Sequence, residues 1–259
     1  MLRKGKAVPM NILVTFAVEA EFAPWQRLRK FRRLPGDYPS YEAEFGGARV
    51  RVVLTGMGQE HAFEIARRVL PLRPDICIST GLAGALRSVY RPGDILAARL
   101  VSEVEEPVAV ASHHELLSTA VDCGARQVER FATSRMLVSS AKEKHGLGRE
   151  AEAVEMESYT IMAEAARCGV PAVAIRAISD TADFNMPYDF ASARNSRGQI
   201  RVGHIIAQVI RHPSGLPALL TLARDCRLAA RQLADFLDAY TGTLGERLIP
   251  IEPGMVATR

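Results

Sequence analysis

The chain of 259 residues is 48% hydrophobic and 24% charged, enough for one full-sized α/β domain without a second. It has no apolar run of the roughly eighteen residues that a spanning helix needs. Its start, MLRKGKAVP, lacks the apolar stretch of a secretory signal, so a cytoplasmic location is expected. The net charge of +4 sits in the N-terminal arm, in residues 27–33 and near the C-terminus without interleaved aromatics, which speaks against nucleic-acid binding.

Residues 1–9 read as a flexible arm, 10–244 as a single domain and 245–259 as a loose tail. Residues 10–17 (MNILVTFA) form an apolar β-rich run, followed by a helical pattern over 18–33 that Pro24 breaks early. Glu19 and Glu21 thus stand at a strand-to-helix junction, where acids complement the helix dipole. Residues 41–45 and 49–54 flank Gly46 and Gly47, a dipeptide suited to the primed turn of a hairpin. The second of these strands runs into TGMGQEHAFEIARRVL. There Gly56 and Gly58 let backbone amides approach a ligand at a helix N-terminus. His61 replaces the third glycine of a dinucleotide fingerprint, so no dinucleotide cofactor is implied. Residues 75–80 (DICIST) read as a buried strand ending on GLAGAL. Gly81 and Gly84 permit a tight turn there, beside a ligand or simply against a neighbouring strand.

The most informative stretch is 153–183. A short apolar segment ends on Glu155 and Glu157, then turns into a helical pattern carrying Ile161, Met162, Ala165 and Ala166, closed by Gly169 and Pro171. Residues 172–178 follow as small and β-branched residues with Arg176 the one polar member, the pattern of a strand covered on both faces. This run ends on Ser179 and Asp180. A βαβ unit with a parallel strand pair would bring both sets of carboxylates to one sheet edge, where open α/β sheets bind ligands. A solvated rim is the plainer alternative for such acids. Local context predicts that the helix dipole keeps Glu157 ionised, while desolvation keeps Asp180 protonated. Two carboxyls driven apart in this way suit an acid paired with a charge stabiliser.

Residues 184–204 are rich in Asn, Ser, Gly and Pro and read as a loop able to cover the cleft. A final amphipathic helix over 216–240 places Leu216, Leu219, Leu220, Ala223, Cys226, Leu233, Leu237 and Tyr240 on one face. Acids mixed into its polar face favour core packing over a membrane-surface role. The four cysteines lie far apart, read as reduced core residues and form no CxxC pair. The His113–His114 pair has no third ligand nearby, so no metal site is implied. The expected fold class is α/β, a mainly parallel twisted central sheet with helices on both faces.

AVEMES followed by RAISDTAD resembles the nucleoside phosphorylase superfamily, and within it the 5′-methylthioadenosine/S-adenosylhomocysteine nucleosidase branch. The resemblance implies that Glu157 holds the ribose hydroxyls, that Met156 lies under the sugar, and that Asp180, oriented by Ser179, protonates purine N7. FAVEAEF is similar to the family's N-terminal acid triplet, with Ala20 in the middle place, and implies that Glu21 activates the attacking water. The loop after the second hairpin strand would put Thr55 and Gly56 beside the nucleophile. STGLAGAL with RPGDIL resembles a base-contacting motif and implies that 81–85, including Gly81, Ala83 and Gly84, lie in the pocket. Where the family carries an adenine-stacking Phe and an Ile, this chain has Met136 and Leu137. Residues 212–233 look like hopanoid-associated phosphorylases of the same superfamily, which process adenosylhopane, and the shortened middle region fits them too.

The expectation is therefore a purine N-ribosyl hydrolase acting on a 5′-substituted adenosine-type nucleoside, with no cofactor and, by family habit, a homodimeric assembly. A lipid-linked substrate would add weak membrane-surface association. Asp180 supplies a proton, Glu157 fixes the sugar, with Glu155 beside it, and Glu21 takes a proton from water, helped by Arg176 and Thr55. The rival is phosphorolysis, although the chain lacks the PGDPxR-like loop that phosphorylases of the superfamily carry near the N-terminus. A binding protein without turnover is disfavoured because all three acids are present.

Overall fold

Buried apolar runs alternate with amphipathic segments along the chain and become strands and helices in that order. The structure, a computed structural model, describes residues 9–105, 108–189 and 208–247. Residues 1–8 of the expected arm over 1–9, most of the covering loop and the tail beyond Arg247 lie outside the described residues. The strands are β1 (Met10–Phe16), β2 (Arg32–Leu34), β3 (Ser40–Phe45), β4 (Ala48–Leu54), β5 (Ile76–Ala85), β6 (Ile95–Glu103), β7 (Ala109–Ala111), β8 (Arg126–Thr133), β9 (Ala153–Glu155) and β10 (Ala172–Asp180). The helices are α1 (Glu19–Leu28), α2 (Gln59–Val69), α3 (His114–Asp122), α4 (Ala141–Leu147), α5 (Ser158–Arg167) and α6 (Leu216–Arg247).

The centre of the sheet is parallel: β4, β1, β5 and β10 run side by side in one direction. Burial on both faces explains their wording, since all nine residues of β10 are buried. One apolar layer, with Phe22 and Trp25 of α1, Leu116 of α3 and Leu233 and Leu237 of α6, covers one face. A second layer, with Ala62 and Ile65 of α2 and Ile161 and Met162 of α5, covers the other. Around this centre parallel and antiparallel pairings mix: β5 also pairs with β9 antiparallel, β9 with β8 and β8 with β6 parallel, and β6 antiparallel with β10, which returns to β5. The sheet therefore closes a five-strand circuit at one end, as a strongly twisted sheet can when its strands tilt.

This closure corrects the simple βαβ picture. β9 and β10 do not pair with each other. Instead β9 pairs antiparallel with the last residues of β5, Gly84 against Val154, while β10 pairs parallel with β5 along its length, Asp180 against Gly84. The two acid-bearing ends still meet because the end of β5 lies between them. β5 itself runs on to Ala85 rather than turning after Thr80. Its glycines serve close approach: a Cβ on Gly81 would stand 3.1 Å from both Glu21 carboxylate oxygens, and one on Gly84 3.2 Å from Asp180 Oδ2.

Three further expectations change. α1 runs through Pro24 to Leu28 and then gives way to β2 instead of continuing to Arg33. The aromatic cluster of Phe22, Trp25 and Phe31 holds this segment in place against the loss of one helical hydrogen bond. α6 continues seven residues beyond Tyr240, where Gly242 and Gly245 lie against the β3–β4 turn and a Cβ on Gly46 would meet Gly242 Cα at 2.8 Å. Finally, Leu216 and Leu220 at the start of α6 are exposed, while Leu233, Leu237 and Tyr240 are buried as the pattern predicts. The hairpin turn is primed, with positive φ at both Gly46 and Gly47. Among the described residues no helix is long and apolar enough to cross a membrane.

Candidate active site

Four chain segments deliver acids to the cleft at the end of β5. Glu21 comes from the first turn of α1. Its Oε2 accepts from the amides of Ala17 at 3.1 Å and Val18 at 3.3 Å, and its Oε1 from the amide of Leu82 at 3.0 Å. Burial nevertheless raises its pKa above the ordinary carboxylate value, against the lowering effect of these amides and of Arg176.

Glu155 ends β9 and is saturated. The Thr133 hydroxyl donates to Oε1, and Arg176 Nη2 at 2.5 Å and the amides of Glu157 and Ser158 at 3.0 and 2.7 Å donate to Oε2. Burial works upward on its pKa, but the Arg176 guanidinium and these donors outweigh it and hold the group below its ordinary value. Glu157 fares differently. Its Oε1 accepts from the Gly58 amide at 2.7 Å, and Arg176 lies 3.9 Å from its Oε2. Burial, then repulsion from Glu155, pushes its pKa up to about 8. The expectation that the helix dipole keeps Glu157 ionised is thus corrected, because dipole effects of a few tenths to one kcal/mol are outweighed by desolvation beside a like charge.

Asp180 at the end of β10 has the expected partner, Ser179, and one that was not expected. Ser179 Oγ donates to Oδ1 at 2.6 Å, and the ammonium of Lys144 is in contact with Oδ2. Lys144 is fully buried, a residue that sequence reasoning missed. In its context, SSAKEKHGL, it looks like an ordinary solvent-facing helix lysine, and no local signal distinguishes it.

The cleft wall is formed by Glu21, Ala83, Gly84, Glu155, Met156 and Glu157, continued by Met136, Leu137, Ser179 and Asp180, all of them candidates from the sequence. Apolar neighbours complete it: Leu82, within the expected stretch 81–85, and Met57, Val138 and Met186, which were not foreseen. Arg176 is 1% exposed and stands behind the acids rather than on the wall. Gly81 lies behind Glu21. Thr55 and Gly56 also stand off the wall: the Thr55 hydroxyl is within 3.3 Å of the Phe16 carbonyl and 2.9 Å of the Gly56 carbonyl, and the Gly56 amide donates to Ala17. A roomier cleft, about 330 Å³ against about 160 Å³, opens beside Arg49, Arg51 and Arg73 at the start of β1. There Arg49 pairs with Glu44, Glu42 with Arg32, and Arg51 donates to the Tyr38 hydroxyl, but no group of acids converges, so the cleft of the four acids is the candidate site.

Several solved structures share this fold. The Helicobacter pylori methylthioadenosine nucleosidase with 5′-methylthioadenosine in its active site is 18% identical, with a TM-score of 0.69 over 90% of this chain and 98% of that one. A futalosine hydrolase of the same organism is 18% identical, with a TM-score of 0.69 over 90% and 97%. The 5′-methylthioadenosine/S-adenosylhomocysteine nucleosidase of Neisseria meningitidis, in complex with methylthio-immucillin-A, is 19% identical, with a TM-score of 0.69 over 90% and 99%. The sequence profile of the phosphorylase superfamily matches residues 11–211, more than three quarters of the chain. The acid-lined end of β5 therefore sits in a chain that belongs to the phosphorylase superfamily.

Proposed function

We propose that this phosphorylase-superfamily enzyme hydrolyses the N-glycosidic bond of a 5′-substituted adenosine-type nucleoside, releasing free base and a ribosyl product. The observation that carries the choice of water is the charge around the nucleophile's side of the cleft. Glu21, Glu155 and Glu157 converge there on a single guanidinium, Arg176. A phosphate dianion needs convergent cationic and amide donors. Here the one cation is already paired with Glu155, and phosphate would meet three carboxyl groups in place of convergent free donors. Water needs no such donors.

Glycosidic C–N cleavage passes through an oxocarbenium-like state, so the departing base needs a proton and the ribose needs nearby negative charge. Asp180, at the opposite wall, is the proposed donor to the base. Glu21, with its raised pKa, is a stronger base than an ordinary carboxylate once ionised and takes the proton of the attacking water. Glu157 faces the ribose hydroxyls, and positive charge developing on the sugar favours its ionised form. Met156 packs beneath the sugar, and Met136 and Leu137 face the base with polarizable and apolar surface. The nucleosidase and futalosine hydrolase folds that resemble this one are consistent with the hydrolytic reading.

A second reading, phosphorolysis of an adenosylhopane-type nucleoside, draws on the apolar wall of Met57, Met136, Val138 and Met186, with Met136 64% exposed at the mouth. Such a wall suits an apolar 5′ substituent whichever nucleophile attacks. The test of the reaction class is release of free purine from adenosine, methylthioadenosine and adenosylhomocysteine by the purified protein. Release from at least one, faster for the 5′-thio substrates, is expected. No release from any of the three, with or without phosphate, contradicts the proposal.

A further inference from the structure

Lysine is among the residues least often found fully buried, and where it is, a specific partner offsets the cost of desolvating the ammonium. Lys144, on the last turns of α4, has no exposure at all. Its ammonium has three donors and three acceptors: Asp180 Oδ2 in close contact, the Thr181 carbonyl at 3.0 Å and the Phe184 carbonyl at 3.2 Å. The Phe184 ring closes over it at 5.8 Å. Every donor is thus committed, and each bond ties α4 either to the cleft carboxylate or to the turn that follows it. That turn leads to Met186, whose side chain lines the cleft and whose amide donates to the Ser139 carbonyl just before α4. A structural lysine would be anchored to any convenient acceptor. This one is anchored to the carboxylate that faces the leaving base.

We propose that Lys144 is a positioning residue for base departure: its ammonium fixes Asp180 against the cleft wall, so that the carboxyl group meets the departing base in one orientation. The proposal rests on the reading of Asp180 as the donor. Ser179 holds Oδ1 and Lys144 holds Oδ2, so the carboxyl plane cannot rotate while both are in place. The ammonium and carboxylate together hold one transferable proton. When the base takes that proton, an amine and a carboxylate remain, and the pair regains a proton from solvent before the next turnover. Misplacement of a reacting group by about 1 Å costs on the order of 10²-fold in rate.

The test compares wild type with Lys144→Met, Lys144→Arg and Asp180→Asn on methylthioadenosine and on 4-nitrophenyl ribofuranoside, whose leaving group departs as a stable anion and needs no proton. Lys144→Met is expected to lose about 10²-fold in kcat on the nucleoside with KM within about threefold of wild type. It should keep most of its activity on the nitrophenyl riboside. Lys144→Arg should recover at least about tenfold of the loss, because a cation is restored. The ratio of the two activities does not depend on the folded fraction of a variant. Equal loss on both substrates, or a kcat for Lys144→Met within about threefold of wild type, overturns the proposal. If the wild type does not accept the nitrophenyl riboside, the kcat-against-KM split and the Arg rescue decide. Should Asp180→Asn show no selective loss on the nucleoside, the donor reading itself fails; selective loss in Asp180→Asn but not in Lys144→Met sinks only the role of Lys144.

Discussion

On one side of β5, three carboxyl groups share the guanidinium of Arg176; on the other, Asp180 has the ammonium of Lys144 to itself. Both sets are buried and both stand at strand or helix ends, yet the balance of charge sorts them. Where acids outnumber the cation, Glu155 takes the guanidinium and stays ionised while Glu157 and Glu21 are pushed up. Where the numbers match, a carboxyl is held in a fixed pair. Burial alone does not assign acid and base roles; the count of partners does.

The largest expected effect tests the matched side. Asp180→Asn keeps the shape of the side chain but cannot deliver a proton, and kcat should fall by about 10² to 10⁴ while nucleoside binding persists. Steady-state kinetics with a binding titration reads both, and a kcat within about threefold of wild type removes Asp180 from the mechanism. On the crowded side, Glu157→Gln should cost about 10-fold to 10²-fold in kcat/KM on ribonucleosides, the scale of a hydrogen bond to a charged group, and less on 2′-deoxynucleosides. Equal losses on the two series would mean that Glu157 does not touch the sugar hydroxyls.

A smaller effect probes the apolar wall that neither set of acids occupies. Each CH₂ added to a 5′-alkylthioadenosine and buried against Met57, Met136 and Met186 is worth up to about 0.8 kcal/mol, roughly fourfold in kcat/KM. A steady fall beyond methyl would show a closed pocket and end the lipophilic-substrate reading.

The smallest effect is on stability. Glu157 and Glu21 have raised pKa values, so on folding they keep protons that the unfolded chain releases above the ordinary 4.5. Their contribution is full at low pH and is lost as pH rises through that window toward about 8, where Glu157 titrates in the folded protein. Glu155, held below its ordinary value, has the opposite sign and loses its contribution as pH falls below 4.5. The melting temperature should decline by a few degrees between about pH 5 and pH 8, and Glu157→Gln should flatten that decline. An identical pH slope in the variant would contradict the account of Glu157.

Much of this site was legible in local wording. Acids that open helices directly after apolar strands, Glu21 after β1 and Glu155 and Glu157 at β9, announce themselves because strand period, helix period and charge change within a few residues. β10 was legible because a strand covered on both faces has almost no polar residue. The rest depends on partners distant in sequence. Lys144 lies 36 residues from Asp180 and stands among residues that read as a surface helix. The protonation of Glu157 depends on how many acids reach Arg176, which the closure of β5, β9, β8, β6 and β10 decides and no short window encodes. The same closure explains why GLAGAL is strand and not turn: its glycines make room for Glu21 and Asp180 on either side.

The central claim, that the crowded side of the cleft admits water and rejects phosphate, is tested most directly by the fate of the sugar. Methylthioadenosine is incubated with the enzyme in ¹⁸O-labelled water containing an excess of phosphate, and the ribosyl product is examined by mass spectrometry. The account predicts a free ribosyl sugar carrying one labelled oxygen at C1, formed at a rate independent of phosphate. An unlabelled ribosyl 1-phosphate, with a rate that follows phosphate concentration, would contradict it.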